Sequence, residues 1–262
     1  MIQIEFAKRV KDIVEHDNSV LGLAVAGSWL ENELDEYSDL DLILVTRDKV
    51  TDYKENMFNF AHRFGDVLSA FTGEHVGEPR LLICVYDNPL LHVDIKFLTL
   101  EEFDTHIENP IILSDTNGKL ANILTKTANI KFPYPEYQWI EDRFWVWIFY
   151  ILQKIGRGEN LEAFDGFGFL RSVVFGPLLH IRNGNLPRGV RKVETKLTDK
   201  DLKDLIETIP PLEKRSMLKA LHHCIALYKR IRKELYPGDI QLQERSEKRI
   251  MDYFKEIESH IE

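Results

Sequence analysis

The chain has 262 residues and a formal net charge of −9, with 44% hydrophobic and 29% charged residues. This size and composition allow one large domain or two modest ones with a proper hydrophobic core. The acidic charge argues against a large nucleic-acid footprint, which requires a basic face, and is compatible with a cationic small-molecule partner. No apolar run approaches the roughly 20 residues that span a bilayer, and the charged, amphipathic start is unlike a signal peptide.

The two cysteines lie far apart in apolar stretches of sequence, at Cys84 and Cys224. Such surroundings favour buried free thiols over a disulfide framework. Because free thiols fit a reducing compartment, we expect a cytoplasmic protein.

The first half of the chain alternates between helical and strand patterns. The expected elements are a helix over residues 4–14, a strand over 20–26, a short helix over 28–33, a strand over 39–45, a helix over 53–68, strands over 80–86 and 90–97, a short helix opened by the capping box at 99–102, and an edge strand over 110–113. Turn residues at 87–89 join the two strands over 80–97 into a hairpin.

After about residue 125 the strand patterns disappear and long helical periodicities take over. Two prolines in Lys131–Pro135 predict a linker, since prolines so close together do not lie inside a helix. Helices are expected near 139–155, 160–182, 199–208, 212–235 and 242–261. The chain is therefore expected to be α+β, with a mixed sheet and flanking helices over 1–125 and an all-helical bundle over 136–262.

Three aspartates provide the chemistry. Asp39 and Asp41 lie two residues apart on a strand, so their side chains project from one face, where they repel each other. A divalent cation removes that penalty, because Mg²⁺ takes one or two carboxylates together with substrate phosphates. Asp94, within the strand over 90–97, is the third carboxylate of a predicted two-metal site. The Asp-x-Asp pair alone fits solvated or capping carboxylates equally well.

A second motif, Gly27-Ser28, follows the first buried strand. A glycine there lets the backbone approach a phosphate closely, and the start of a helix offers N–H donors to an anion. Taken alone, the pair more often marks an ordinary turn. The order of strand, Gly-Ser, polar link, Ser38-Asp-Leu-Asp, apolar strand and lone Asp94 is more specific than either motif.

These segments carry a resemblance. GSWLENELDEYSDLDLILV resembles the Gly-Ser…Asp-x-Asp motif of the DNA polymerase β-like nucleotidyltransferase superfamily, and HVDIKF resembles its third-aspartate strand. Within the superfamily the chain resembles bacterial antibiotic-modifying adenylyltransferases similar to aminoglycoside 6-adenylyltransferase. ILSDTNGKL resembles their Asp-x-x-Gly segment, while DRFWVWIFYILQKIGRGE and YPGDIQLQERSEKRIMDYFKEI resemble their first and last long helices.

The resemblance implies transfer of AMP from ATP, with two Mg²⁺ ions, to a hydroxyl of a small acceptor. An aminoglycoside-like antibiotic is the favoured acceptor, which implies antibiotic resistance. Asp39, Asp41 and Asp94 become metal ligands, and Asp94 is alternatively the base. Glu141 and Asp142 in the first long helix compete for the role of base. The expected nucleotide contacts are Gly27, Ser28, Ser38, Lys96 and Lys154.

Several plainer interpretations stay open. Lys96 and Lys154 are by default solvated charges, and His92, which shares a face with Asp94, is by default a surface or core histidine. The link at Glu31, Glu33, Asp35 and Glu36 is first a solvated loop and second an attractor for a cationic acceptor. A protein target, or a module that only binds nucleotide, is the alternative function; clustered carboxylates argue against the latter.

Overall fold

The computed structural model describes residues 1–30 and 32–259. Glu31 of the acidic link and the last residues of the helix expected over 242–261 lie outside this range. The chain divides into two compact units, Met1–Phe132 and Pro133–Glu262. None of the helices in the described part of the chain is both long and apolar enough to cross a membrane.

A mixed sheet forms the centre of the first unit. Across residues 1–30 and 32–132 it has six strands in the order β3-β4-β5-β2-β1-β6. The strands are β1 Val20–Val25, β2 Leu40–Thr46, β3 Asp66–Gly73, β4 Glu78–Asp87, β5 Leu91–Thr99 and β6 Ile111–Asp115. Neighbouring strands are antiparallel except β2 and β5, which run parallel. The expected α+β class, the hairpin of β4 with β5, and the edge position of β6 are confirmed.

The helices of the first unit cover the two faces of the sheet unequally. They are α1 Ile2–Val14, α2 Lys54–Phe64, α3 Leu100–Phe103 and α4 Lys119–Lys126. α1 and α2 cover one face, where Leu42, Leu82 and Ile95 are buried. On the other face α3 and α4 pack over the ends of β2 and β5, at Val45 and Leu98, and α4 also packs against β1 and β6. The beginning of β2 on that face therefore stays open to a ligand.

Two predicted helices were wrong in extent. The helix over 53–68 ends at Phe64, because the extended backbone of Gly65 redirects the chain into β3, where Val67 and Leu68 lie. The helix expected from residue 28 is a single 3-10 turn, Gly27–Trp29. The strand over 39–45 begins at Leu40, so Asp39 is the last residue of the preceding loop.

The second unit is helical throughout its described residues, as expected. Its helices are α5 Tyr137–Arg157, α6 Asn160–Leu170, α7 Gly176–Arg182, α8 Val193–Lys196, α9 Asp199–Ile206, α10 Lys214–Leu235 and α11 Glu244–Ser259, with a π-helical turn, Arg171–Phe175, between α6 and α7. Trp145, Phe167 and Leu221 are fully or almost fully buried in its core. Both cysteines of the chain are free and buried, as their apolar neighbours predict.

Candidate active site

Two of the three aspartates are direct neighbours in the sheet. Asp41 of β2 and Asp94 of β5 are Cα partners in the parallel pair. Residues opposite each other on paired strands point to the same face, and here that face is the one left open by α3 and α4. Asp41 is half-buried, and the Asp94 side chain retains 20% of its exposure. The sheet therefore presents two adjacent carboxylates that solvent and ligands can reach.

Asp39 is near enough to act on the same site. Burial raises the pKa of the Asp94 carboxyl above its ordinary value, and the negative charge of Asp39 raises this pKa further. His92 lowers it, because its Nε2 lies 2.9 Å from Asp94 Oδ1. The carboxyl of Asp94 thus holds a proton more tightly than an exposed aspartate does.

Gly27 brings the backbone against Asp41. It has φ +62°, in the left-handed region, and a Cβ added to it would overlap Asp41 Oδ2. The preceding residue, Ala26, donates its N–H to the Asp41 carbonyl over 3.1 Å. Ser28 is buried in the 3-10 turn that follows. Only glycine fits this close approach of turn and carboxylate.

The donor set suits a hard divalent cation. All three aspartates offer oxygen atoms as ligands. Because Gly27 has no Cβ, the turn can lie close to the Asp41 carboxylate. Among the described residues, no three His, Cys, Asp or Glu side chains lie close enough together to hold a metal ion by themselves. Mg²⁺ commonly takes only one or two carboxylates and completes its shell with phosphates and water, so the residues present fit this ion. The three-ligand assignment stays a prediction.

The acidic loop before Asp39 is fixed by a residue that the sequence analysis missed. Gln3 of α1 is fully buried, and its Nε2 donates to the carbonyls of Asp35 (2.9 Å) and Ser38 (2.7 Å). The Ser38 hydroxyl, a predicted nucleotide contact, donates to Asp35 Oδ1 over 2.9 Å. The available signal was a polar residue on the buried face of an amphipathic helix.

Lys96, the lysine of the sheet that is predicted to contact the nucleotide, already has a carboxylate partner. Lys96 lies two residues beyond Asp94 on β5, and its Nζ is 2.8 Å from Glu78 Oε2. Arg80 also binds Glu78, and this hydrogen bond, together with the weaker pull of Lys96, lowers the pKa of Glu78 to about 2 against the opposing effect of burial. The charge of Lys96 is therefore largely neutralised where it lies.

The predicted residues of the second unit lie in ion-pair networks of their own. Lys154 contacts Glu159 (2.7 Å) and Glu162 (2.9 Å). Glu141 is fully buried, and its carboxylate accepts hydrogen bonds from Tyr228, Arg232 and the backbone N–H of Gln243.

Asp142, by contrast, is exposed. Its Oδ1 accepts hydrogen bonds from Gln138 and Gln243, and these bonds lower the pKa of its carboxyl. Unlike Glu141, Asp142 is open to a ligand, but the lowered pKa makes it a weaker base.

The family model described as "Nucleotidyltransferase domain" matches residues 7–143, more than half of the chain. No curated protein matches the chain in sequence.

Solved structures that are similar to this chain include the following three. An aminoglycoside 6-adenyltransferase from Bacillus subtilis has 19% identity and a TM-score of 0.42, covering 97% of this chain and 98% of its own. A nucleotidyltransferase-like protein from Exiguobacterium sibiricum 255-15 has 12% identity and a TM-score of 0.35, covering 86% and 74%. A spectinomycin adenyltransferase from Enterococcus faecialis, solved with ATP and spectinomycin, has 14% identity and a TM-score of 0.32, covering 97% and 99%.

The family match contains the whole of the open sheet face described above. Gly27, Asp39, Asp41 and Asp94 all lie within residues 7–143. Since this match spans more than half of the chain, the protein belongs to the nucleotidyltransferase domain family and is an enzyme of the nucleotidyltransferase type.

Proposed function

We propose that this enzyme transfers AMP from ATP to a hydroxyl group of a small acceptor. The observation that supports it most is the Cα pairing of Asp41 with Asp94 beside the left-handed turn at Gly27. In the reaction the acceptor oxygen bonds to the α-phosphorus, the bond from that phosphorus to the pyrophosphate oxygen breaks, and pyrophosphate leaves. The hydroxyl proton passes to a base.

On the open face, one group of residues would bind the nucleotide and another would bind the metal ions. Gly27 and Ser28 would hold the triphosphate through their backbone and hydroxyl donors. Asp39 and Asp41 would hold two Mg²⁺ ions, with Asp94 either as the third carboxylate ligand or as the base. When bound, these ions neutralise phosphate charge and stabilise the attacking and leaving oxygens. Because phosphoryl transfer needs little covalent chemistry from the protein, positioning is the main contribution of the chain.

Asp94 is the base that the contacts favour. Burial and the nearby Asp39 raise its pKa, which makes its carboxylate a better proton acceptor than an ordinary aspartate. Glu141 has both carboxylate oxygens occupied by Tyr228 and Arg232. Such a carboxylate contributes to the fold of its unit more readily than to proton transfer.

The two lysines remain predictions as triphosphate contacts. Lys96 is paired with Glu78, and Lys154 with Glu159 and Glu162. Each would have to exchange a carboxylate partner for a phosphate, so each adds less to nucleotide affinity than a free lysine would.

For the acceptor we favour an aminoglycoside-like antibiotic, with ATP as the co-substrate in a cytoplasmic resistance enzyme. The sequence resemblance supports this class, and the net charge of −9 suits an acceptor that carries several amines. A protein target is the alternative.

A pyrophosphate-release screen tests the proposal. ATP and GTP are offered with Mg²⁺ to aminoglycosides, lincosamides and other polyhydroxylated amines. Asp41→Asn is compared with Asp48→Asn, an exposed aspartate just after β2. We expect Asp41→Asn to lose at least about a hundredfold in turnover, as when one stabilising group of an active site is removed. Near-wild-type turnover in Asp41→Asn would refute the metal assignment, and Mg²⁺-dependent ATP binding without pyrophosphate release would favour a binding module.

A further inference from the structure

The row of residues that contains the two aspartates continues across the sheet. Asp41 is the Cα partner of Asp94, Asp94 of Ile83 in β4, and Ile83 of Phe71 in β3. Directly opposed residues share a face, so all four side chains project from the open face. Two aspartates are thus followed, strand by strand, by an aliphatic and an aromatic side chain.

Phe71, Leu81, Ile83 and Val85 form one apolar surface beside the carboxylates, which we name the apolar platform. Phe71 is 51% exposed and the other three are half-buried. Their neighbours Leu82 and Cys84, on the opposite face, are fully buried under α1 and α2. Within the described residues, no member of the platform belongs to a buried hydrophobic cluster.

The platform is also the right size and polarity for a ring-shaped ligand. Strand geometry gives it a length of about 13 Å from Leu81 to Val85 and a spacing of about 5 Å between β4 and β3. None of its four members carries a charge or a hydrogen-bonding side chain. Binding sites for small molecules combine such apolar walls with a few polar groups, and here Asp94 is the polar group next to Ile83.

The strand order separates the platform from the phosphate-binding turn. Gly27 follows β1 and lies against Asp41 on β2, whereas the platform lies on β4 and β3, beyond Asp94. In phosphoryl transfer the attacking and leaving oxygens are roughly in line on opposite sides of the phosphorus. If pyrophosphate leaves on the side of Gly27, the attacking hydroxyl arrives on the side of Asp94 and the platform.

We infer that the apolar platform binds the acceptor, and that the acceptor lays an apolar ring face on Phe71 and Ile83 while its hydroxyl reaches Asp94. This inference rests on the proposed function and narrows its acceptor class to a cyclic, hydroxylated molecule with one uncharged ring face that lies on the platform. An extended, highly charged chain does not match this surface. The base of ATP is the competing occupant, and the experiment distinguishes it from the acceptor.

Phe71→Ala, Phe71→Tyr and Leu68→Ala test the inference in the full-length enzyme with Mg²⁺·ATP and the cyclic acceptors streptomycin, kanamycin and spectinomycin. Leu68 is the matched control, since it is 56% exposed on the same strand but lies at the irregularity in the β3–β4 register, outside the row. Losing the ring contact should raise the acceptor KM roughly tenfold in Phe71→Ala, leaving the Kd for Mg²⁺·ATP and kcat within about twofold. Phe71→Tyr and Leu68→Ala should both keep the wild-type acceptor KM.

Three results would overturn the inference. A rise in the Kd for ATP, with no change in the acceptor KM, would assign the platform to the nucleobase. An unchanged acceptor KM and ATP Kd would leave the platform without either occupant. If the wild-type enzyme releases pyrophosphate with an open-chain hydroxylated amine but transfers AMP to none of the three cyclic acceptors, the acceptor class is wrong. The proposed function fails separately, if the wild-type enzyme releases pyrophosphate with no acceptor of the screen.

Discussion

Asp41 and Asp94 are paired across the only parallel strand contact among residues 1–30 and 32–132, β2 with β5. This contact lies in the middle of the sheet, between the hairpin β4–β5 and the pair β1–β2. Each strand alone carries an unremarkable aspartate, and the pairing sets the two carboxylates one strand spacing apart, about 5 Å. Repulsion at that distance raises the affinity of the site for a cation.

Asp94→Asn tests the electrostatic cost of this pairing. Because the pKa of Asp94 is raised above its ordinary value of 3.8, the native state binds the proton more tightly than the unfolded chain. The resulting increase in the free energy of unfolding is complete below the ordinary pKa and is lost as the pH rises through the raised pKa of Asp94. At neutral pH the ionised carboxylate therefore opposes folding when no metal is bound.

The expected result for Asp94→Asn is a higher free energy of unfolding at pH 7 in chelator, measured by urea denaturation, and a smaller difference from wild type near pH 3. Turnover should fall at least about a hundredfold in the same variant. Asp48→Asn, an exposed position just after β2, should change neither quantity. A destabilised Asp94→Asn at pH 7 would contradict the electrostatic account.

Gly27→Ala tests the close approach between the turn and Asp41. A Cβ at this position would overlap Asp41 Oδ2, and the φ of +62° adds strain for any residue but glycine. Gly77→Ala is the matched control, since Gly77 has φ +76° but no atom within 4 Å of the added Cβ. Both variants should lose about 1 kcal/mol of unfolding free energy from the left-handed backbone.

Only Gly27→Ala should also displace the Asp41 carboxylate. We expect its affinity for Mg²⁺·ATP, measured by calorimetry, to fall at least about tenfold, as it does when the groups that orient a metal site are disturbed. Equal ATP affinity in the two variants would mean that the turn at residue 27 does not position Asp41.

Gln3→Met tests the support of the loop that delivers Asp39. Methionine keeps the volume of the side chain but removes both N–H donors to Asp35 and Ser38, which should cost about 1–2 kcal/mol of unfolding free energy. Because the loop ends at Asp39, the Mg²⁺ concentration for half-maximal ATP binding should rise several-fold. Lys8→Met, on the exposed side of α1, is the control. An unchanged Mg²⁺ midpoint in folded Gln3→Met would restrict this residue to a purely structural role.

Much of this site was readable from local patterns, and the rest depended on tertiary pairing. The places of Asp41 on β2 and of Gly27 in a turn follow from the strand pattern and the Gly-Ser pair, whereas Asp39 lies in the loop before the strand on which the sequence placed it. β3 was missed because its register with β4 is irregular near Leu68 and both of its faces are partly exposed, so neither strand alternation nor burial marks it. Its first apolar residues then extended the helical pattern of α2.

The partners of the site and core side chains could not be obtained from sequence either, because they too depend on tertiary pairing. The pairing of Asp41 with Asp94 depends on β5 lying beside β2 in parallel, which requires the order of the whole sheet. The capping box at Thr99 was readable because its two hydrogen bonds join residues three apart. Gln3 and Glu141, in contrast, find their partners far along the chain, at Ser38 and Tyr228.

Glu141→Gln separates a catalytic role from a structural one in the helical unit. Its buried carboxylate lies 3.1 Å from Arg232, which also contacts Glu247, and it accepts a 2.6 Å hydrogen bond from Tyr228. Removing the charge of Glu141 leaves the Arg232 guanidinium with Glu247 as its one carboxylate partner among these two. The free energy of unfolding should therefore fall by about 3 kcal/mol. Asp142→Asn is the neighbouring control, because Asp142 is exposed and should change stability little.

Kinetics at a temperature where Glu141→Gln is fully folded complete the test. With Asp94 as the base, kcat of Glu141→Gln should stay within about threefold of wild type, while the thermal midpoint drops. A base role for Glu141 would give the opposite pattern, a kcat lower by about a hundredfold or more and an unchanged midpoint. A loss of kcat confined to Asp142→Asn would instead assign the proton transfer to Asp142, whose carboxyl pKa is lowered by hydrogen bonds from Gln138 and Gln243.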